Sequence, residues 1–479
     1  MSARYLTTTL PYVNADPHLG HALEFVEADC LARTLRVQGN DVLLNIGTDE
    51  HGAKVAQKAA EEGKDSQVYV DEYAARFKTF ADHLDISYDS FTRTTGSAHK
   101  AAAQAFWKRC ADAGDIYKAA YAVKYCVGCE LEKTDSELVE GRCPLHPNMA
   151  IELREEENYY FRFSKYQETL LAHYAAQKDF VLPAERMHEL TSFVAAGLKD
   201  FSISRRREKL AWGVPVPGDE EHVMYVWFDA LVNYVSAIGW PDDEQKFLKW
   251  WPVTQLAGKD NLRQQAAMWQ AMLLSAGLPL SRTIFIHGFI TSEGKKMSKS
   301  LGNVINPLEL AGVYGVDAVR YILLRHVSHS EDSDLTRNAI HEHYTAHLTN
   351  GLGNLVARVL TLAEAHLLQP VALAEADTKL EQVFLDGIEA FHFNEALDFV
   401  FAKVAAADVF MTEHMPYRKI KSADGAEQDS ARKDIEHLVR ELASIATHLV
   451  PAMPRTAALI SEAVRINKKP ENLFPRLSV

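Results

Sequence analysis

Apolar and β-branched residues run almost unbroken through positions 5–10, after which Pro11, Asn14, Asp16 and Pro17 break the chain into a loop. Apolar positions then return at spacings of three and four, as Leu23, Val26 and Cys30 and as Ala28, Leu31 and Leu35, until Gly39 and Asn40 end the pattern. A second strand is expected at 42–46. The pattern predicts a strand-helix-strand unit opening the chain, followed by covering helices over 53–62 and 71–84. From about 117 the periodicity changes to short alternating pieces and turns, and 150–220 is mixed. The strand and helix alternation resumes with a strand running into a helix at 224–230, a strand at 253–257, a helix over 262–276 stopped by Gly277 and Pro279, and a strand at 283–290. Asn306 with Pro307 marks a capped helix start, and Asp317 is expected to cap the next helix. Beyond 344 only helical stripes remain: Val356, Leu360, Ala363 and Leu367; Leu397, Val400, Val404, Ala407 and Met411; and Ile435, Leu438, Leu442, Ile445 and Leu449. A polar loop, 417–430, is expected between the last two, and the stripes imply the core of an antiparallel bundle.

The fold class is therefore α/β, with a parallel-sheet domain interrupted by an insertion and followed by an all-α helix bundle. A chain of 479 residues holds more than one core. Its 47% hydrophobic and 24% charged content is that of a globular protein. A net charge of −14 argues against indiscriminate nucleic-acid binding while leaving room for a local basic patch. No apolar run approaches the roughly 18 residues of a membrane span, and the N-terminus lacks a signal pattern, so a cytoplasmic protein with no membrane partner is expected. Five cysteines are too few for a disulfide framework, and three lie between 126 and 143.

Those cysteines point to metal. Cys126-x2-Cys129, thirteen residues, then Cys143-x2-His146 places two ligand pairs on two turns. Three thiolates and an imidazole complete a closed tetrahedral zinc site with no position left for water, so one structural Zn2+ is expected. Free thiols that happen to cluster are the alternative. At the other end of the chain, His18, Gly20 and His21 of HLGH fall where a helix begins and its free N–H groups and partial positive charge favour phosphate. The bland alternative is a pair of ordinary helix-start histidines. Asp49, in TDEHG, lies at the C-terminal end of the second strand, where α/β folds place ligand-contacting groups. Lys295, Lys296 and Lys299, with Ser298 and Ser300, follow a late strand on a glycine-containing loop; such lysines can meet a triphosphate, although a bare charge cluster is more often a solvated loop.

HLGH and KMSKS within one interrupted α/β domain are far more specific together than apart, and the chain resembles the class I aminoacyl-tRNA synthetases. Within that class it resembles methionyl-tRNA synthetases over nearly its full length. LPYVNADPHLGH, TDEHG, the Cys3His knuckle, FSISRRR, YVWFDALVNY, GKDN, HGFIT and GKKMSKSLGN occur in the family's order. The resemblance implies a Rossmann-type catalytic domain at 1–115 and 223–300, split by a zinc-containing connective insertion at 116–222. It also implies a stem-contact segment at 301–343 and an anticodon-binding bundle at 344–479. The implied substrates are ATP with Mg2+, L-methionine and initiator and elongator tRNA(Met), and the expected state is a monomer. His18, Gly20, His21, Asp260, Lys296, Ser298 and Lys299 are implied at ATP, and Arg205 at the activated substrate. His18, His21, Lys296 and Lys299 carry the catalytic roles. Asp49 is implied to pair with the methionine ammonium, while Leu10, Tyr12, Trp227, Ala230 and Tyr234 form the side-chain pocket. An aromatic-lined slot suits a thioether, since sulfur-to-ring contacts contribute about 0.3 to 1.5 kcal/mol.

The sequence departs from the family pattern in two places. Asn261 and Gln265 stand where many members have isoleucine and a pocket histidine, and near Asp408, where anticodon readers are expected, the usual asparagine is absent. Phe474 is the one candidate for a base-stacking ring. Among rivals, leucyl and valyl synthetases carry larger insertions, and a cysteinyl enzyme needs metal at the active site. A simple HxGH nucleotidyltransferase lacks both knuckle and bundle. A non-enzymatic tRNA-binding paralogue has no need of both histidines and both lysines.

Overall fold

Six parallel strands form the central sheet, in the order Ser90–Arg93, Asp41–Thr48, Ala3–Thr7, Val253–Gly258, Thr283–His287 and Val181–Leu182. In this computed structural model residues 2–129, 131–133, 137–296 and 305–477 are described, with 121–123, 131, 132, 154–156 and 296 as backbone only. The first strand is central because its residues are apolar on both faces: Tyr5 sits between Leu43 on one neighbour and Val253 on the other. Strand order reverses there. Its two neighbours are thus the second strand of the chain and one that begins some 250 residues later, and the crevice at their C-terminal ends is where open α/β sheets bind ligands.

Helix Leu19–Val37 lies against the sheet with fourteen of its residues buried, including Glu24, Glu27 and Asp29 in an otherwise apolar run. The antiparallel ribbon Ile116–Cys126 and Ile151–Phe161 projects from the sheet domain and carries the cysteine turns at its tip. The inserted stretch is not uniform. Val181–Leu182 returns to pair with Ile284 and Phe285 at the edge of the parallel sheet, so part of 116–222 belongs with that sheet. The strand expected to open the strand-to-helix stretch at 224–230 also differs. Asp219–Met224 pairs antiparallel with Ser204–Arg206 in a separate small sheet, and the helix begins at Val226; the apolar run could not distinguish a parallel partner from an antiparallel one.

The C-terminal bundle comprises Asn354–His366, Phe393–His414, Gly425–Leu449 and Pro454–Ile466, and its core is continuous with that under Leu19–Val37. Helix Gly425–Leu449 starts within the stretch expected to be loop, because Asp424 accepts a hydrogen bond from Ala426 N at 2.8 Å and caps it. Arg320, fully buried, ties the parts together. Its guanidinium donates to Asp29 at 2.7 Å, to the carbonyl of Leu84 at 3.0 Å and to those of Ala452 and Pro451 at 2.8 and 3.0 Å. Asn306 caps Pro307–Tyr314 as expected. Asp317 does not cap its own helix: it sits inside Val316–His326, and its carboxylate accepts from Thr456 N at 2.5 Å, serving the N-terminus of Pro454–Ile466 instead. Among the described residues no helix is long and apolar enough to cross a membrane.

Candidate active site

The HLGH turn follows the central strand directly and forms a reciprocal cap. Gly20 N donates to Nδ1 of His18 at 3.1 Å, and His18 N donates to Nδ1 of His21 at 3.3 Å, with the two rings stacked at 3.8 Å. Because each Nδ1 accepts from a backbone N–H, each neutral ring carries its proton on Nε2. Each Nε2–H is thus a donor. Burial lowers the His21 pKa well below its usual value, helped by the imidazoles of His18 and His287, so this ring donates without a fixed charge. A Cβ on Gly20 would come within 3.0 Å of the His18 ring, so the turn has no room for a larger residue.

Beneath the turn lies a buried acidic hub that sequence reasoning missed. Glu24 accepts from Thr9 N and Thr9 Oγ1, both at 2.6 Å, and pairs with Nε2 of His287 at 3.2 Å, fastening the loop after the first strand to the strand Thr283–His287. Burial opposes charge on His287, but the hydrogen bond from Glu24 and the nearby Glu27 prevail and raise its pKa to about 9. Burial pushes the Glu27 carboxyl up to about 8, with His287 pulling down and Glu24 pushing up. The available signal was three acids within an apolar helix stripe.

Asp49 is 6% exposed and forms a parallel bridge with Tyr12. Asp49 N donates to Pro11 O at 2.9 Å and Val13 N donates to Asp49 O at 3.1 Å, which holds the loop carrying Leu10 and Tyr12, both half-buried, against the end of the second strand. A second missed group joins this strand end to the pocket helix. Asp229, fully buried in Val226–Leu231, bonds Nδ1 of His51 at 2.6 Å and Nε2 of His99 at 2.8 Å. Burial raises its pKa, but the two imidazoles overcome that and hold the carboxyl far below the usual range. The helix so anchored carries half-buried Trp227 and buried Ala230.

Tyr234, 2% exposed, meets Trp269 edge-on at 5.9 Å. Burial and the Glu24 carboxylate raise its phenol pKa, while Gln265 and Gln255 hydrogen-bond it and work the other way. Gln265 is 1% exposed in a π-helical turn, Gln264–Met268, where its carbonyl accepts from Gln255 Nε2 at 2.8 Å. Gln265, at the position where many family members have histidine, is therefore a buried, hydrogen-bonded partner of Tyr234. Asn261 instead turns to Asp260, donating to its Oδ1 at 3.2 Å.

Asp260 is exposed just past the end of Val253–Gly258, beside His287 across Gly258. Arg205 is buried, donates to Ser202 Oγ at 2.8 Å and Ser204 O at 2.6 Å, and lies over the Tyr225 ring at 4.3 Å. Lys296 pairs by its backbone with Thr291 in a short hairpin, while Ser298 and Lys299 lie outside the described residues.

At the tip of the ribbon, Cys126, Cys129, Cys143 and His146 bring their ligand atoms within 4.8 Å of one another. Nδ1 of His146 is 3.3 Å from the Cys129 sulfur and 3.9 Å from each of the other two. These are the edges of a tetrahedron built on bonds of about 2.0 to 2.3 Å, so the donor set fits one metal ion. Gly128 is obligatory: a Cβ there would lie 2.2 Å from the His146 ring. Lys54 donates to Gly128 O at 2.7 Å and Arg263 pairs with Glu137 at 3.0 Å, docking the knuckle over the sheet domain.

In the bundle, Asp408 pairs with Arg358 at 2.5 Å beside a cavity of about 470 Å³ lined also by Met411, Tyr417 and Lys469. Phe474 is not available for base stacking. It is 4% exposed and packs edge-on to Tyr344 at 6.1 Å and against Gly353.

The family model for tRNA synthetases class I (M) matches residues 4–150 and 145–360. The methionine–tRNA ligase of Thermosynechococcus vestitus is 41% identical over 96% of this chain and 88% of its own length. That of Mycobacterium tuberculosis is 39% identical over 96% and 91%. The solved structure of Mycobacterium tuberculosis methionyl-tRNA synthetase with methionyl-adenylate superposes with a TM-score of 0.90 at 36% identity, covering 100% of this chain and 99% of that one. Its free form gives 0.83 at 33%. With the strand order, the switch-point crevice and the paired-histidine turn all in agreement, the chain belongs to the methionyl-tRNA synthetase family of class I enzymes.

Proposed function

We propose that the chain activates L-methionine with ATP and then transfers the methionyl group to the 3′ end of tRNA(Met). In the first step a carboxylate oxygen of methionine bonds to the α-phosphorus as the bond to the bridging oxygen breaks, giving methionyl-adenylate and pyrophosphate. In the second a terminal ribose hydroxyl of the tRNA attacks the carbonyl carbon and AMP leaves. The observation that carries this reading is that the HLGH turn and the Asp49 bridge follow the C-terminal ends of neighbouring strands at the switch point of the sheet.

The nucleophile is already ionised, so no general base is required. The site has to orient the reactants and stabilise charge on phosphorus and the leaving group. Nε2–H of His18 and of His21 are the donors assigned to phosphoryl oxygens, together with backbone N–H groups at the start of Leu19–Val37. Lys296, Ser298 and Lys299 are assigned to the leaving pyrophosphate, and Asp260 to the ribose. ATP brings Mg2+, which neutralises its phosphates. Asp49 takes the ammonium group; Leu10, Tyr12, Trp227, Ala230 and Tyr234 take the side chain, with Gln265 completing the far wall through Tyr234. Arg205 supports the adenylate. The knuckle holds one structural Zn2+, the ion whose preference for thiolate and imidazole matches its donors. The segments before, within and after the sheet domain keep the roles the family implies, and the face around Arg358 and Asp408 is assigned to the anticodon.

Methionine-dependent exchange of pyrophosphate into ATP tests the site. Asp49→Asn keeps shape and removes only charge, leaving a bound ammonium uncompensated in a partly dry site. A loss of at least about a hundredfold in kcat/KM for methionine is expected, about 2.7 kcal/mol. Wild-type exchange in this variant would place the ammonium elsewhere.

A further inference from the structure

Far from both the HLGH turn and the knuckle in the sequence, three imidazoles gather where helix Val316–His326 meets the long helical run Arg337–His343 and Tyr344–Gly353. His326, His343 and His347 have ligand nitrogens all within 4.8 Å of one another. Nδ1 of His347 lies 3.3 Å from Nε2 of His326; the rings of His326 and His343 stack at 3.7 Å, so one of these two must turn about its side-chain bonds for its lone pair to meet the others. A separation of about 3.3 Å is the edge of a tetrahedron with metal-to-nitrogen bonds of 2.0 to 2.1 Å. His343 and His347 are four residues apart on one helical run, the spacing with which two histidines on a helix face ligate zinc. Each ring is half-buried, so solvent can reach the cluster.

We propose that His326, His343 and His347 form a second metal site, one that takes a divalent transition ion of the imidazole-preferring kind (zinc, cobalt, nickel or copper) on three protein nitrogens. The knuckle is closed by four protein ligands, whereas this site leaves a coordination position to water and should exchange its ion readily. Arg325 is the adjoining positive charge, and Asp398 pairs with it at 2.7 Å. Tyr321, fully buried, faces the same two nitrogens: its hydroxyl lies 2.9 Å from Nδ1 of His347 and 3.1 Å from Nε2 of His326 while accepting from Arg325 at 2.7 Å, so an ion bound here would take the place of the hydrogen bonds these nitrogens now make to it. An ion here would pin helix Val316–His326 to the helical run that begins at Arg337.

The test uses the full chain as purified, with its knuckle metal in place, titrated with Co2+ near pH 7.5 and read by visible absorption. Binding of about one further equivalent is expected, with ligand-field bands and without the intense sulfur-to-cobalt charge transfer that occupancy of the knuckle would give. His343→Gln and His347→Gln should each weaken it by at least about tenfold, while retaining methionine-dependent exchange. Anomalous diffraction at the cobalt edge on the unsubstituted protein covers the case in which a variant fails to fold, and a peak among the three rings is expected. Ligand-field bands of equal strength in both variants, cobalt confined to the thiolates, or no anomalous peak among the rings would each overturn the proposal.

Discussion

Replacing Asp229 with asparagine alters one oxygen at the joint between the strand end that carries Asp49 and the helix that carries Trp227 and Ala230. Both carboxylate oxygens are used, Oδ2 by His51 at 2.6 Å and Oδ1 by His99 at 2.8 Å, and all three side chains are at most 3% exposed. Asparagine keeps one acceptor and turns an NH2 toward the other ring, so one charge-assisted hydrogen bond is lost. Hydrogen bonds to charged groups contribute about 1.5 to 3 kcal/mol, which sets the expected loss of stability for Asp229→Asn. Asp229→Ala leaves Nδ1 of His51 and Nε2 of His99 without their partner as well as a cavity and should cost about 3 to 5 kcal/mol. Because the folded-state pKa is depressed, this contribution is present above the unfolded carboxylate value and is lost only as pH falls through the folded one. The difference between wild type and Asp229→Asn should accordingly stay flat from about pH 6 to 9. The urea midpoint followed by tryptophan fluorescence measures the loss, and pyrophosphate exchange measures its consequence: KM for methionine should rise several-fold as Trp227 and Ala230 lose their anchor, with kcat less affected. Midpoint and KM unchanged in both variants would refute the reasoning.

Glu27 and His287 both bind protons more tightly folded than unfolded, so stability should decline with rising pH between the ordinary carboxyl value of 4.5 and about 8 for Glu27, and between the ordinary imidazole value of 6.5 and about 9 for His287. Glu27→Gln should abolish the part of that decline belonging to the carboxyl and match or exceed wild type at about pH 8.5; urea midpoints across this range check it, and a steeper decline in the variant would contradict it. For the knuckle, elemental analysis should find about one zinc per chain once the more weakly held His-cluster ion has been dialysed away, and Cys143→Ser should lower that to near zero. A full complement of zinc in Cys143→Ser would dismiss these ligands.

Four of the six parallel strands and the knuckle were legible because each has a local signature, an apolar run with turn residues or paired ligands at fixed spacing, whereas the short strands Ser90–Arg93 and Val181–Leu182 were not. What escaped was set by long-range partners. Nothing local tells that Asp317 faces Thr456 rather than its own helix start, or that Phe474 closes over Gly353 instead of facing solvent. Val181–Leu182 is two residues long and finds its place only through Phe285. Glu24 and Asp229 sit among apolar neighbours and would have read as errors of pattern; their partners, Thr9, His287, His51 and His99, come from separate segments. Within the site, HLGH and Asp49 were legible as motifs, whereas the groups that hold them in place were not.

The most direct measurement is exchange of pyrophosphate into ATP with each of the twenty amino acids supplied in turn. An apolar pocket discriminates by only about 1 to 3 kcal/mol per methylene-sized difference, so weak exchange with close analogues of methionine is compatible with the account. L-methionine should give by far the highest kcat/KM, with leucine and isoleucine poor substrates. Preferential exchange with any other amino acid, or no exchange with methionine, would contradict it.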